Sequence, residues 1–211
     1  MFYVNPMSYS NLSVYDFSLL SHLKVDGHYF CSKRYDQGEL KRFSINKIYK
    51  YNDLPQPLKT LSYVLSQLRL VYYDIILKPE VIHIQWIKFY YYDYFIYLII
   101  KLITPSVQIV HTVHNVLPHD SGEKYNYIFK KYYKLVDKLI VHHESTGKEL
   151  CKRYSIDDNK IAIINHGIID DNGLYSTDND DVLCQELTIN KGKYILGFLG
   201  SISKYKGIDL L

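Results

Sequence analysis

The chain is built around residues 109–120, which read IVHTVHNVLPHD and change abruptly from β-branched to polar side chains. Successive side chains of a strand point to opposite faces, so Thr112 and His114 should share one face and His111 should lie on the other. A strand that is apolar almost throughout is typical of a buried parallel sheet, and open α/β sheets bind ligands at the carboxyl ends of their strands. We therefore expect His114 and Asn115 at the ligand-binding edge of such a sheet.

The rest of the chain alternates short apolar runs with helical patterns, which predicts an α/β fold with a doubly wound, Rossmann-like parallel sheet. Further strands are expected over residues 2–5, 28–32, 43–51, 81–86, 138–142 and 160–164. Residues 170–181 are polar and acidic, which is typical of a connection between domains. The sequence therefore predicts a first domain over 1–167, a linker over 168–192 and the start of a second domain over 193–211.

Composition limits the classes of protein that fit. The 211 residues are 47% hydrophobic and 22% charged with a net charge of +3, which indicates a globular protein and does not call for a nucleic-acid partner. Three widely spaced cysteines without a Cys-x-x-Cys pair favour reduced cytosolic thiols. We see neither a signal peptide nor an uncharged apolar run of 18 residues, so a cytoplasmic location is expected.

Four stretches resemble one protein family. Residues 111–119, HTVHNVLPH, are similar to the HTxHNxxPH segment in the amino-terminal domain of family 4 glycosyltransferases. Three more stretches follow in the family's order: VIHIQW at 81–86, IAIINHGI at 161–168 and FLGSISKYKGID at 198–209. The resemblance implies the GT-B fold of two Rossmann-like domains, of which the second would be truncated here, leaving this portion inactive by itself.

The family's activity implies a function for the complete enzyme. It would transfer a sugar from a nucleoside-diphosphate sugar to an acceptor hydroxyl with retention, without a metal or other cofactor. A sugar or a lipid-linked acceptor in cell-surface polysaccharide or glycolipid synthesis is the commonest setting. The resemblance makes His114 the active-site histidine, with Asn115 as a donor-binding residue and His119 on the acceptor side. The alternative is that His114 is a structural histidine at the end of a strand.

Two loops resemble binding elements of the family. In residues 200–207, GSISKYKG, Gly200 would let main-chain N–H groups approach the diphosphate, and Lys206 would neutralise charge as the nucleotide departs. Ser201 stands where the family usually has arginine. The alternative is a polar turn with a surface lysine.

The first loop, residues 6–11, precedes a helix whose amino terminus favours anions. Ser10 and Asn11 could therefore bind the donor, although the family's usual glycines are absent; the alternative is an ordinary helix cap at Asn11 or Ser13. Tyr9, Gln85 and Trp86 are the remaining acceptor-side candidates. Trp86 could equally fill the core at the end of its strand.

Helical periodicity predicts two surfaces. The apolar spacing at Leu58, Leu61, Val64, Leu65, Leu68 and Val71 predicts a core-facing stripe. In residues 89–103, Tyr90, Tyr94, Tyr97 and Lys101 share one side, which could lie in a membrane interface. Lysines and tyrosines interleaved over 124–138 could contact anionic lipid. A solvated helix face is the alternative for each of these two surfaces.

Two other functions fit parts of the sequence. Six histidines (111, 114, 119, 142, 143 and 166) lie in one third of the chain, which would suit a metal-dependent hydrolase. Alternation along a strand opposes that interpretation, since His142 and His143 should diverge. The other possibility is a non-catalytic α/β module that binds a partner protein.

Overall fold

A computed structural model describes residues 1–118 and 123–167, and Met1–Gly167 form one compact unit. The strands are β1 (Phe2–Asn5), β2 (Gly27–Ser32), β3 (Phe43–Tyr49), β4 (Val81–Ile84), β5 (Gln108–Thr112), β6 (Lys138–Val141) and β7 (Ile161–Ile163). The helices are α1 (Asn11–His22), α2 (Leu58–Leu77), α3 (Tyr90–Ile103), α4 (Asn126–Leu135) and α5 (Glu144–Tyr154), with 3-10 turns at Tyr51–Asp53 and Asp158–Lys160.

All seven strands are parallel, in the order β3-β2-β1-β4-β5-β6-β7. The predicted doubly wound, Rossmann-like α/β sheet is therefore confirmed. The order reverses between β1 and β4, because the chain first moves outward from β1 to β3 and then returns to β4. In sheets of this kind, a ligand crevice opens at the carboxyl ends of the strands that flank this reversal.

Alternation along the strands divides the core between the two faces of the sheet. In β1, Phe2 and Val4 join the larger core, which also contains buried side chains of α2, α3, α4 and α5. Tyr3 lies on the other face, in a smaller core with Tyr29 of β2 and Leu20 of α1. The central strands are thus buried on both faces, which explains their nearly continuous apolar sequences.

The inward face of α2 is not the one that the apolar spacing predicted. Leu58, Leu61, Leu65 and Leu68 are 50–56% exposed, while Val71 is buried as expected. The stripe that faces the core instead contains Tyr63, Ser66, Gln67, Leu70, Val71 and Asp74. Its polar members are satisfied internally: the Ser66 hydroxyl donates to the carbonyl of Ile48, for example, over 2.7 Å. The prediction was wrong because periodicity locates a stripe without showing whether the opposite stripe is buried through hydrogen bonds.

The faces of α3 are likewise reversed. Its core-facing residues are Asp93, Ile96, Tyr97 and Ile100, whereas Tyr92, Phe95, Ile99 and Ile103 are exposed. Tyr97 is 1% exposed, so the side with the tyrosines is not the outer surface. Lys101 on that side pairs with Asp137 over 2.8 Å and also donates to the carbonyl of Val107. No helix within the described residues is both long and apolar enough to cross a membrane.

One buried carboxylate connects α2 with α3. Asp93 accepts hydrogen bonds from the Tyr63 hydroxyl and the Gln67 amide, each over 2.6 Å. It also accepts from the main-chain N–H groups of Lys88 and Phe89, over 2.8 and 2.9 Å. Burial raises the pKa of Asp93 to about 6, and these four donors oppose that increase. The carboxylate thereby fixes the segment between β4 and α3, next to the predicted ligand edge.

Candidate functional site

His114 lies two residues beyond β5, at the carboxyl edge of the sheet and beside the end of β4. Its Nε2 is 2.9 Å from Oε1 of Gln85, and its ring stacks on Trp86 with centroids 4.6 Å apart and an interplanar angle of 5°. An amide oxygen can only accept, so Nε2 of His114 carries the proton and donates it. In the neutral ring, Nδ1 is then a hydrogen-bond acceptor.

Gln85 is 1% exposed and lies behind His114, where a bound acceptor would not touch it. Its Nε2 is 3.3 Å from the Thr112 hydroxyl, which in turn is 2.8 Å from Nε2 of His83. A chain of hydrogen bonds therefore runs from His83 through Thr112 and Gln85 to His114. Because Gln85 and Thr112 are both buried, these hydrogen bonds fix the orientation of the His114 ring from inside the protein.

The surroundings of His114 favour its uncharged form. Burial lowers the pKa of His114 to about 4, and the imidazoles of His142, His166 and His83 lower it further. Burial also lowers the pKa of His83 to about 4. Near neutral pH the site therefore presents a neutral imidazole with one bound proton and one free lone pair.

The rings of His142, His166 and Tyr15 form a cluster with His114, and the sequence analysis did not predict this grouping. The His142 ring lies 5.4 Å from that of His114 and 5.0 Å from that of His166. Tyr15 of α1 packs 5.9 Å from His114 and 5.2 Å from His166. His142 directly follows β6, and His166 lies three residues after β7. Their places at predicted strand ends were the feature of the sequence from which this grouping could have been inferred. Their adjacency follows from the order of the strands.

The metal-centre interpretation has no support among the described residues. There, no group of three or more His, Cys, Asp or Glu side chains is arranged to hold a metal ion. His111 lies on the opposite face from His114, as alternation predicted, and packs 5.3 Å from the ring of Tyr132. His111 is 5% exposed, and burial lowers its pKa to about 3. His143 is exposed at the start of α5, away from His142.

The loop after β1 lies at the same edge of the sheet, and buried hydrogen bonds of Asn5 and Asp16 fix its position. Asn5 donates to Asp16 of α1 over 2.7 Å, and its side-chain oxygen accepts from the N–H of Met7. The hydroxyls of Tyr3 and Tyr29 donate to the same carboxylate over 2.9 and 2.5 Å. Burial raises the pKa of Asp16 to about 7. This network ties the loop and α1 to the sheet.

The donor-binding candidates of this loop lie at the amino terminus of α1. Ser10 is exposed, has a φ of 51° and precedes the helix without a side-chain capping bond, and Asn11 is its exposed first residue. The alternative, an ordinary cap at Asn11 or Ser13, is not formed: the helix has no side-chain capping bond, and the Ser13 hydroxyl lies instead 2.7 Å from the carbonyl oxygen of Ser10 and 2.8 Å from Asp36. Tyr9 is partly buried in the same loop.

Asn115 follows His114 and borders a cavity. The Tyr133 hydroxyl of α4 lies 3.3 Å from the carbonyl oxygen of Asn115 and 3.1 Å from that of Val116, and so holds this loop. The cavity has a volume of about 430 Å³ and is lined by His114, Asn115, Val116, Leu117, Pro118, Glu123, Thr146, Glu149 and Arg153. The structure thus groups His114, Trp86 and Asn115 at one edge. His119, Gly200, Ser201 and Lys206 lie outside the described residues.

Comparisons with known proteins agree with this fold. A family model described as Glycosyltransferase Family 4 matches residues 19–172. Among 21 matching chains of solved structures is the crystal structure of a glycosyltransferase from Rickettsia africae ESF-5. The two chains are 13% identical with a TM-score of 0.52, and the match covers 90% of this chain and 50% of that one. The chain therefore spans about half the length of this solved relative. No curated protein matches.

Proposed function

Because the chain belongs to glycosyltransferase family 4, we propose that it supplies the acceptor-side half of an enzyme that transfers a sugar from a nucleoside diphosphate to an acceptor hydroxyl with retention. The observation that carries the proposal is the neutral, internally oriented imidazole of His114 at the ligand-binding edge. The family match and the strand reversal beside β4 support the same position for the sugar.

The protonation of His114 suits this chemistry. Cleavage of the bond to the diphosphate develops positive charge on the sugar ring, which an imidazolium would oppose and a neutral imidazole does not. With Nε2 donating to Gln85, Nδ1 can accept a hydrogen bond from a sugar hydroxyl. The flat face of Trp86 behind the ring restricts His114 to one orientation. His114 is thus proposed as the catalytic residue of this half.

The negative charge of the leaving diphosphate has to be stabilised by cationic side chains or by main-chain N–H groups. Ser10 and Asn11, at an uncapped helix amino terminus, are proposed to contact the donor, together with Asn115. Gly200, Ser201 and Lys206 are proposed to bind its diphosphate by their resemblance to the family's motif. Tyr9, Trp86 and His119 remain the proposed acceptor side, while the buried Gln85 is better suited to orient His114.

The proposed acceptor is a sugar or a lipid-linked sugar of a cell-surface polysaccharide or glycolipid, and the proposed location is the cytoplasmic face of the membrane. The family's chemistry supplies this setting, and the donor would be a nucleoside-diphosphate sugar without a metal cofactor.

The test uses the full-length protein that contains this chain. Release of nucleoside diphosphate is measured with a panel of nucleotide sugars for the wild type, for His114→Ala and for the control His22→Ala, whose imidazole is exposed at the end of α1. We expect His114→Ala to lose about 100-fold or more in turnover and His22→Ala to retain it. Equal turnover in the two variants would contradict the role of His114. A folded full-length protein that releases no diphosphate from any donor would instead indicate a module that only binds a partner.

A further inference from the structure

The outer faces of α2 and α3 expose an unusual number of large apolar side chains. On α2 the exposed set is Leu58, Leu61, Leu65, Leu68, Tyr72, Ile75, Ile76 and Leu77, each 42–61% exposed. On α3 it is Tyr91, Tyr92, Phe95, Ile99, Leu102 and Ile103, each 38–72% exposed. Soluble proteins scatter single apolar residues over their surfaces, whereas an exposed patch of this extent is typical of an interaction site.

The two sets form one surface, here called the α2–α3 face. Both helices pack on the same side of the sheet, and hydrogen bonds connect them at two levels. Asp93 accepts from Tyr63 at the first level, and the Thr104 hydroxyl donates to Asp74 over 2.7 Å at the second. From the first level to the second, residue numbers increase on both helices, so the two helices are adjacent and parallel. Their exposed stripes are therefore neighbours along about ten residues.

The exposed charged side chains of helices α2, α3 and α4 are all basic. The acidic residues of α2, α3 and α4 are Asp74 and Asp93, and both are 0% exposed. Helix α4 packs beside α3, with the rings of Tyr90 and Phe129 4.9 Å apart. Its exposed surface carries lysines at 130, 131 and 134, with Tyr127 between Lys124 and Lys131. Along these three helices an apolar face thus adjoins a row of lysines with no exposed carboxylate.

We propose that the α2–α3 face docks on a bilayer that contains anionic phospholipid, with the lysines of α4 at the headgroups. A protein binds an anionic membrane through two elements: apolar side chains that enter the membrane–water interface, and lysines that contact the anionic headgroups. The tyrosines at 72, 91, 92 and 127 suit the boundary, since each has an apolar ring and a polar tip.

A second copy of the chain fits this surface less well. A two-fold contact would place the surface against itself, and the opposing surface offers these lysines no carboxylate. The anionic headgroups of a bilayer supply the missing partner charge. The sequence-based candidate surface on α3 was its tyrosine side, on which Tyr97 is buried and Tyr90 and Tyr94 are partly buried. The docking face proposed here is the opposite one and includes α2.

The location of the face has a consequence that rests on the proposed function. Helix α3 begins four residues after Trp86, so the first residues of the face, Tyr91 and Tyr92, lie near the edge that holds His114. A membrane in contact with the face would bring the headgroup of a lipid-linked acceptor to this edge. Vesicle binding itself needs no sugar nucleotide, so its failure and the failure of the proposed function can be told apart.

The test is flotation of the chain with vesicles of phosphatidylcholine alone or mixed with phosphatidylglycerol, at low salt. We expect flotation only with the anionic vesicles. The double variant Leu68→Ser/Phe95→Ser should weaken binding at least about tenfold, because it removes two exposed apolar side chains. Replacing Lys130, Lys131 and Lys134 by Gln should weaken it about fivefold per lysine.

Matched controls use similar residues away from the face. Val25→Ser removes an apolar side chain that is 46% exposed next to β2, and Lys152→Gln removes an exposed lysine of α5. Both should float like the wild type, and all variants should show the wild-type circular dichroism. The proposal is overturned if anionic vesicles do not bind the chain, or if the face variants bind like their controls. It is also overturned if the wild type sediments as a dimer that Leu68→Ser/Phe95→Ser dissociates.

Discussion

Replacing Gln85 by Glu tests how the protein sets the protonation of His114. The substitution keeps the shape of the side chain but places a carboxylate where the amide oxygen now accepts from Nε2 over 2.9 Å. A hydrogen bond to a charged partner contributes about 1.5–3 kcal/mol, against about 1 kcal/mol for a neutral pair. The difference, at 1.36 kcal/mol per pH unit, corresponds to a pKa of His114 about one pH unit higher.

The assay is an NMR titration of the ring Cε1–H signals of the chain, with the His114 signal assigned by its loss in His114→Ala. In the wild type, His114 should stay neutral until pH falls towards about 4. Gln108→Glu is the matched control, because it adds the same charge at the exposed start of β5, at the opposite end of the strand from His114. An unchanged midpoint in Gln85→Glu, or an equal change in Gln108→Glu, would refute the assigned contact.

Three further predictions concern stability in urea unfolding. Between its ordinary pKa of 3.8 and about 6, Asp93 keeps its proton only in the folded chain, so its contribution to stability falls as pH rises. The free energy of unfolding of Asp93→Asn relative to wild type should therefore increase by about 2 kcal/mol from pH 4 to pH 7; parallel pH profiles would contradict this. Tyr133→Phe should cost about 1 kcal/mol. Tyr132→Phe should cost nothing, because the buried hydroxyl of Tyr132 has no hydrogen-bond partner among the described residues; equal losses would contradict the Tyr133 contact. Lys101→Met should cost about 2 kcal/mol, because it leaves the mostly buried carboxylate of Asp137 without its cation, and the exposed control Arg42→Met should be neutral.

The strands and most helices could be predicted from local patterns. The bounds of β1, for example, coincide with the predicted ones, because a short apolar run ends there at a polar residue and a proline. Parallel pairing followed from strands buried on both faces and separated by helices. The position of His114 at the edge of the sheet could be predicted because the sequence changes from apolar to polar residues at the end of β5.

The inward faces of α2 and α3 could not be predicted in the same way. Periodicity showed an apolar stripe on each helix, but the interior uses the polar side chains of Tyr63, Gln67 and Asp93, which satisfy one another. A stripe with such residues resembles a solvated face until its partners are known. The grouping of His142 and His166 with His114 was missed for a related reason, since it depends on the order of strands in the sheet.

The central claim is that a sugar binds at the carboxyl edge of this sheet, against His114. A crystal structure of the full-length protein with a nucleoside-diphosphate sugar tests it most directly. The account predicts a sugar hydroxyl at hydrogen-bond distance, about 3 Å, from Nδ1 of His114, with Nε2 still bonded to Gln85. A sugar bound away from this edge, or a His114 ring turned from it, would contradict the account.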